Sequence, residues 1–259
     1  MAIVTTEDRG AVRHVVLNRP EKRNAMNEEL IVALREALAA AATDIDVRVV
    51  VIRGEGAMFS AGMDHGSLGV LAAEPQRLRE LRAGILAAWN LCEEMTKPTI
   101  AQIHGACLGG AMEFALACDL RVMAADAVIG LVETRVGLVP DTGGSSRLPA
   151  VVGLGRAKEM IMASKVVDGT EAERIGLVNR VAPAETLDAA TEQLAGELLA
   201  CAPVAVGLAK RILDSAAKPA LAATLELEVT AQDVCARTED YREAITAFVQ
   251  KRQPAFSGR

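Results

Sequence analysis

The chain has 259 residues, 51% of them hydrophobic and 24% charged, with a formal net charge of −6. That length supports one large domain, or one domain with an appendage, around an ample core. The acidic balance gives no general attraction to nucleic acid or to anionic membranes, and a content of one Trp, one Tyr and four Phe weakens a base-stacking model of single-strand binding.

Five cysteines (Cys92, Cys107, Cys118, Cys201 and Cys235) are widely spaced and form no C-x-x-C pair, so neither a zinc site nor a redox dithiol is indicated. They are expected as buried free thiols in a reducing compartment. The first residues show no basic segment followed by an apolar run, and no uncharged stretch reaches the length of a membrane span. A soluble, cytoplasmic protein is expected.

Strands and helices alternate through the first third. Val12–Leu17 and Val47–Arg53 are β-branched runs suited to buried strands. Between them Asn27 can cap a helix from Glu28 to Ala42, with Leu30, Leu34 and Leu38 on one face. Gly54 and Gly56 break the second strand. A long helical segment from Glu74 to Thr96 stops at Lys97-Pro98, and Thr99–Ile103 reads as a short strand. It leads through Gly105, Gly109 and Gly110 into a helical run, Ala111–Ala117, and then a strand from Asp119 to Val122. This order predicts βαβ units and a largely parallel sheet. Past Gly153 the pattern is helical: Arg156–Ala163, Thr170–Ile175, Leu187–Ala200, Val204–Ala217, Ala220–Cys235 and Glu239–Val249. The expected partition is an α/β core over 1–200 and a helical region over 201–259.

Three segments can carry chemistry. In Cys107-Leu-Gly-Gly-Ala-Met-Glu113, a glycine-rich turn enters a helix, leaving backbone N–H groups unpaired at its positive end, where a developing oxyanion would be stabilised. Glu113 falls in that first turn, as an ordinary dipole partner or as a catalytic acid. In Ile129-Gly-Leu-Val-Glu133, the carboxylate sits among apolar neighbours that would raise its proton affinity on burial. Asp141 follows Pro140 and suits a helix N-cap, while Gly143-Gly144 suits close backbone approach. In Phe59-Ser-Ala-Gly-Met-Asp64, Gly62 permits a turn that would aim the Met63 N–H into a cleft. The histidines His14, His65 and His104 lack metal-ligand spacing, so no metal is expected.

These segments together resemble the crotonase (enoyl-CoA hydratase/isomerase) family. Leu17-Asn-Arg-Pro-Glu-Lys-Arg-Asn-Ala-Met26 is similar to its opening motif and Phe59–Asp64 to its first oxyanion loop. Lys97–Arg121 is similar to its central signature, and the resemblance continues through Gly137–Pro149 and Ala172–Val181 to Phe248–Phe256. It implies an α/β fold, a spiral of repeated ββα units with a C-terminal helical trimerisation region, in a homotrimer or a dimer of trimers. It also implies an acyl-CoA thioester held by two backbone N–H groups, which map to Met63 and Gly110.

Hydratases of the family carry glutamates at the positions of Glu113 and Glu133, implying addition of water across the 2,3 double bond of a 2-enoyl-CoA. Asp141 stands where common hydratases have glycine; dienoyl-CoA isomerases can carry Asp there, so a proton-relaying isomerase is the alternative. A non-catalytic acyl-CoA- or RNA-binding homologue is a third reading, disfavoured by the intact acids and the acidic charge. By the same resemblance Lys22, Arg23, Ala61, Asp64, His65, Phe248 and Lys251 would contact CoA or substrate, the tail residues from a neighbouring subunit. No cofactor is implied beyond the CoA of the substrate.

Overall fold

A computed structural model of the chain describes residues 2–64, 66 and 77–258. Strand β1 (Val4–Arg9) pairs antiparallel with β2 (Val12–Leu17) through the turn at Gly10. Parallel to β2 lies β3 (Val49–Gly54), then β4 (Thr99–Ile103), β6 (Leu120–Ala124) and β9 (Arg180–Ala182), in the order β1-β2-β3-β4-β6-β9. A second sheet has the order β5-β7-β8, from Ala106–Leu108, Val128–Gly130 and Val166–Asp168. The chain passes from β4 to β5, through a helix, and back to β6 and β7, so each of these two turns lays one strand in each sheet. That is a spiral of ββα turns.

Between β2 and β3 runs α1 (Glu28–Thr43), started by the Asn27 side chain accepting from Leu30 N at 3.0 Å. Its Leu30, Leu34 and Leu38 are fully buried, one face at helical spacing packed over β1 and β2 and against α2 (Leu78–Glu94). The residues of the expected longer helix before Arg77 lie outside those described. Trp89 of α2 meets Phe114 of α3 (Gly110–Ala117) with ring centroids 4.6 Å apart. Then follow α4 (Gly144–Val152), α5 (Leu154–Met162), α6 (Gly169–Arg174), α7 (Leu187–Leu199), α8 (Pro203–Ala217), α9 (Leu221–Cys235) and α10 (Glu239–Val249). The last two pack on the chain's own core: α9 lies on α4 and α2, and α10 on a 3-10 turn at Glu133–Val136.

Several expectations need correction. The second strand begins at Val49, because the Val47 N–H closes a turn onto Asp44 O at 3.3 Å. The three-residue strands β5, β7, β8 and β9 are too short to show a period, and β1 alternates little because most of it is exposed. Asp141 is not a helix cap. The N-cap of α4 is Gly143, and the side chains that accept from the start of this helix are Glu113 and, 82 residues from Ser146, Glu228. Of the five cysteines only Cys92, Cys107 and Cys118 are buried; Cys201 is exposed and Cys235 half-buried. No helix among the described residues is long and apolar enough to cross a membrane.

Candidate active site

The loop after β3 is knitted to the opening motif and to β5. Asn24, fully buried, donates through Nδ2 to Glu55 O and Met58 O at 2.9 Å and to Phe59 O at 3.1 Å. Ser60 N donates to Ala106 O at 3.0 Å, and Met26 and Met63 form an isolated parallel bridge. Two glycines let the loops close. Gly62 has φ +94°, and a Cβ there would fall 2.5 Å from Leu108 O. Gly109 has φ 56° and ψ −129°, a conformation open essentially to glycine alone.

The result is the meeting of two backbone amides. Gly110 N lies 3.6 Å from where Gly62 would carry a Cβ, and Met63 N lies 3.9 Å from the same point on Gly110. Neither N–H donates to any acceptor among the described residues. Gly110 is the first residue of α3, so its N–H is unpaired by helix geometry and lies at the positive end. A carbonyl oxygen between the two would accept from both.

Two carboxyls flank this point in unlike surroundings. Glu113, 3% exposed, accepts three hydrogen bonds from the start of α4: Thr142 N at 2.8 Å, Thr142 Oγ1 at 2.6 Å and Gly144 N at 2.9 Å. Burial raises its proton affinity, and those bonds, with the Arg147 guanidinium, oppose the rise. Glu133 has no comparable set of donors, only a weak opposing pull from the backbone N–H groups of Glu133 and Val132. Both of its carboxylate oxygens are shielded and unpartnered among the described residues. Oε1 lies 3.2 Å from the position of a Cβ on Gly109, which sets this carboxyl beside the glycine turn. Burial first, then the negative charge of Glu113, pushes its pKa well above the usual range. Asp141 is likewise raised, by burial and by Glu113, against the pull of Arg82.

Between α1 and α2 a cavity of about 230 Å³ opens onto this centre. Met63, Glu113, Asp141 and Thr142 line its inner end, and Ile31 and Ile85 are among its apolar walls. Asp141 therefore shares the chamber with Glu113.

The family model described as enoyl-CoA hydratase/isomerase matches residues 7–259. The chain belongs to the enoyl-CoA hydratase/isomerase family. It is 35% identical over 255 residues to a crotonyl-CoA hydratase of Syntrophomonas wolfei, covering 98% of this chain and 96% of that one. It is 37% identical over 246 residues to the 2,3-dehydroadipyl-CoA hydratase of Escherichia coli, covering 95% and 94%. Its fold superposes on a crystal structure of an enoyl-CoA hydratase from Mycobacterium avium subsp. paratuberculosis with a TM-score of 0.88, at 30% identity and 99% coverage of each chain.

The other positions that resemblance to the enoyl-CoA hydratase/isomerase family marked are scattered. Lys22 and Arg23 are exposed beside the site: Arg23 O accepts from Ala61 N at 3.0 Å, in the loop that carries Met63. Asp64 is paired with Arg19 at 2.7 Å, a contact that braces the loop. His65 lies outside the described residues. Phe248 lies in the last turn of α10, 56% exposed, and Lys251 follows that helix in the solvent; neither lines the cavity.

Sequence reasoning passed over four residues that this member of the enoyl-CoA hydratase/isomerase family brings to the site. Arg82 of α2 reaches Asp141 Oδ2 at 3.9 Å and Glu228 Oε2 at 3.7 Å, and Arg147 holds Thr142 O at 3.0 Å and Glu93 at 2.6 Å. Glu228 and Gln232 come from α9, and Gln232 Oε1 accepts from Val139 N at 2.9 Å. The available signal was their helical period: charged and amide side chains on the buried face of an otherwise apolar helix need partners inside.

Proposed function

We propose that the protein is an enoyl-CoA hydratase that adds water reversibly and syn across the 2,3 double bond of a 2-enoyl-CoA thioester. The observation that carries this reading is the pair of unpaired amides, Met63 N–H and Gly110 N–H, beside two buried carboxyls in unlike surroundings. The thioester carbonyl would accept from both amides. Each such donor is worth roughly 10²–10³ in rate, because it strengthens as enolate charge develops on the oxygen.

The asymmetry between the carboxyls supports a division of labour. Glu113 accepts three hydrogen bonds that favour its ionised form, so it is the base: it takes a proton from water as the water oxygen bonds to C3. The π electrons move towards the thioester oxygen. Glu133, unpartnered and pushed well up, holds the proton that goes to C2 as the enolate collapses. Proton exchange between the two carboxyls and solvent resets the pair.

The Asp141 carboxyl favours a second reading. It lies in the chamber with Glu113, and in a dienoyl-CoA isomerase it would relay a proton further along the acyl chain. Oligomerisation as a homotrimer or a dimer of trimers is supported by exposed apolar side chains on the C-terminal helices, Val204, Leu208 and Ile212 of α8 and Leu227 and Val234 of α9. A cytoplasmic location is supported by the free thiols.

Loss of the conjugated enoyl-thioester absorbance on adding crotonyl-CoA tests the main reading. Glu113→Gln and Glu133→Gln are each expected to lower kcat by about 10²–10⁴-fold. Full turnover in either variant refutes the assignment. Rearrangement of a 3,5-dienoyl-CoA without uptake of water, lost in Asp141→Ala, would establish the isomerase instead.

A further inference from the structure

The start of α4 holds two carboxylates rather than one. Its N–H groups alternate between them. Thr142 N and Gly144 N donate to Glu113, whereas Gly143 N, at 2.9 Å, and Ser146 N, at 2.6 Å, donate to Glu228. Ser146 Oγ adds a further bond to Glu228 Oε1 at 2.6 Å. Glu228 is 5% exposed and reaches this turn from α9, far away in sequence. We infer that Glu228 is a positioning residue for the reaction: it clamps the alternate N–H groups of the turn that presents Thr142 and Gly144 to Glu113.

The physical argument is geometric. A helix N-terminus leaves its first N–H groups without intrahelical partners, and nothing internal to the turn keeps them aimed at one acceptor. With Gly143 as N-cap, α4 has no cap side chain of its own. Glu228 supplies that cap from outside. Residues 142 and 144 can then point at Glu113 only because 143 and 146 are held the other way. Arg82 of α2 stabilises the clamp, 3.7 Å from Glu228 and donating to Leu225 O at 2.5 Å on the same helix.

The charges facing Glu228 are Arg82 from α2, Glu113 from α3, and Asp141 from the turn before α4. Burial and the Glu113 charge push Glu228 up to about 7, against its bonds from Ser146 and Gly143. The clamp therefore tightens as Glu228 ionises around neutrality, and Glu113 feels that second charge.

This rests on the reading of Glu113 as base, and the test separates the two. In crotonyl-CoA hydration, Glu228→Gln keeps the side-chain volume but loses the charge. It is expected to lower kcat by up to about 10²-fold, as for a displaced catalytic group, with KM changed less than about threefold. A step near neutrality in the wild-type profile of kcat against pH should vanish in Glu228→Gln. The same step should move to higher pH in Ser146→Ala, whose half-buried site tolerates the loss of one hydroxyl. In ligand-free protein labelled with carboxyl-¹³C glutamate, the Glu113 signal, assigned by its absence in Glu113→Gln, should show a step near neutrality in the wild type that is missing in Glu228→Gln, while steps from Glu133 and Asp141 remain. A Glu113 titration that is the same in wild type and Glu228→Gln, or an unchanged kcat in a folded Glu228→Gln, overturns the inference. No turnover by the wild type alongside a Glu113 step near neutrality that Glu228→Gln loses would instead refute the hydratase reading and leave the clamp standing.

Discussion

Gly144 and Glu113 touch in a way that leaves no room for a side chain: the Gly144 N–H donates to Glu113 Oε1 at 2.9 Å, and a Cβ on residue 144 would fall 2.9 Å from that oxygen. It would also meet Pro140 Cβ at 2.7 Å. Gly144→Ala should therefore displace the carboxyl rather than unfold the chain. We expect kcat for crotonyl-CoA to fall by about 10²-fold with an unaltered circular-dichroism spectrum. Wild-type turnover would show that the contact does not set the Glu113 position.

Thr142 Oγ1 donates to Glu113 Oε2 at 2.6 Å and so favours the ionised carboxylate. Thr142→Val removes that bond and keeps the shape. Glu113, already raised by burial, would then hold its proton to still higher pH. The acidic limb of kcat/KM against pH should shift upwards; a limb that stays in place or moves down argues against Glu113 as the base.

Glu133 is costly to ionise where it stands. Its folded pKa lies well above the ordinary 4.5, so the protonated form fits the fold and the charged form does not. Stability attached to this group is fully present below 4.5 and is lost as pH rises through the raised folded value. Glu133→Gln does not titrate. It should be slowed by about 10²–10⁴-fold yet more stable than the wild type at pH 8, by on the order of 1–2 kcal/mol, with the advantage shrinking towards pH 4. Thermal denaturation at both pH values reads this directly; a variant less stable than the wild type at pH 8 would contradict it.

Asn24 carries the opening motif's structural role. Besides its three carbonyl acceptors, its Oδ1 accepts from Arg19 N at 2.9 Å, with no solvent access to the side chain. Asn24→Ala would leave several buried backbone groups unpaired and is expected to destabilise the fold by about 2–3 kcal/mol in urea unfolding. A loss below half of that would mean that water or a rearranged loop satisfies them.

Much of the frame was legible because its signals are local. Leu30, Leu34 and Leu38 at helical spacing after Asn27 specify α1, and the β-branched runs specify β2 and most of β3. The glycine turn before Glu113 also announces itself, since unpaired amides at a helix start follow from chain geometry. The short strands of the second sheet did not, because three residues carry no period and are held by partners elsewhere.

The sequence by itself determined which groups are available: two glycine-bearing loops that can free an amide, and carboxyls at 113, 133 and 141. Only the tertiary structure decided which of them meet. It brought Met63 to Gly110 through bridges between separated loops, turned Asp141 from a supposed cap into a wall of the chamber, and drew Glu228 and Gln232 from a distant helix against the α4 turn. The reason is physical. Backbone turns and helix starts are governed by neighbours in sequence, whereas the proton affinity and orientation of a buried carboxyl are set by whatever charge and N–H groups lie within a few ångströms, and folding alone chooses those.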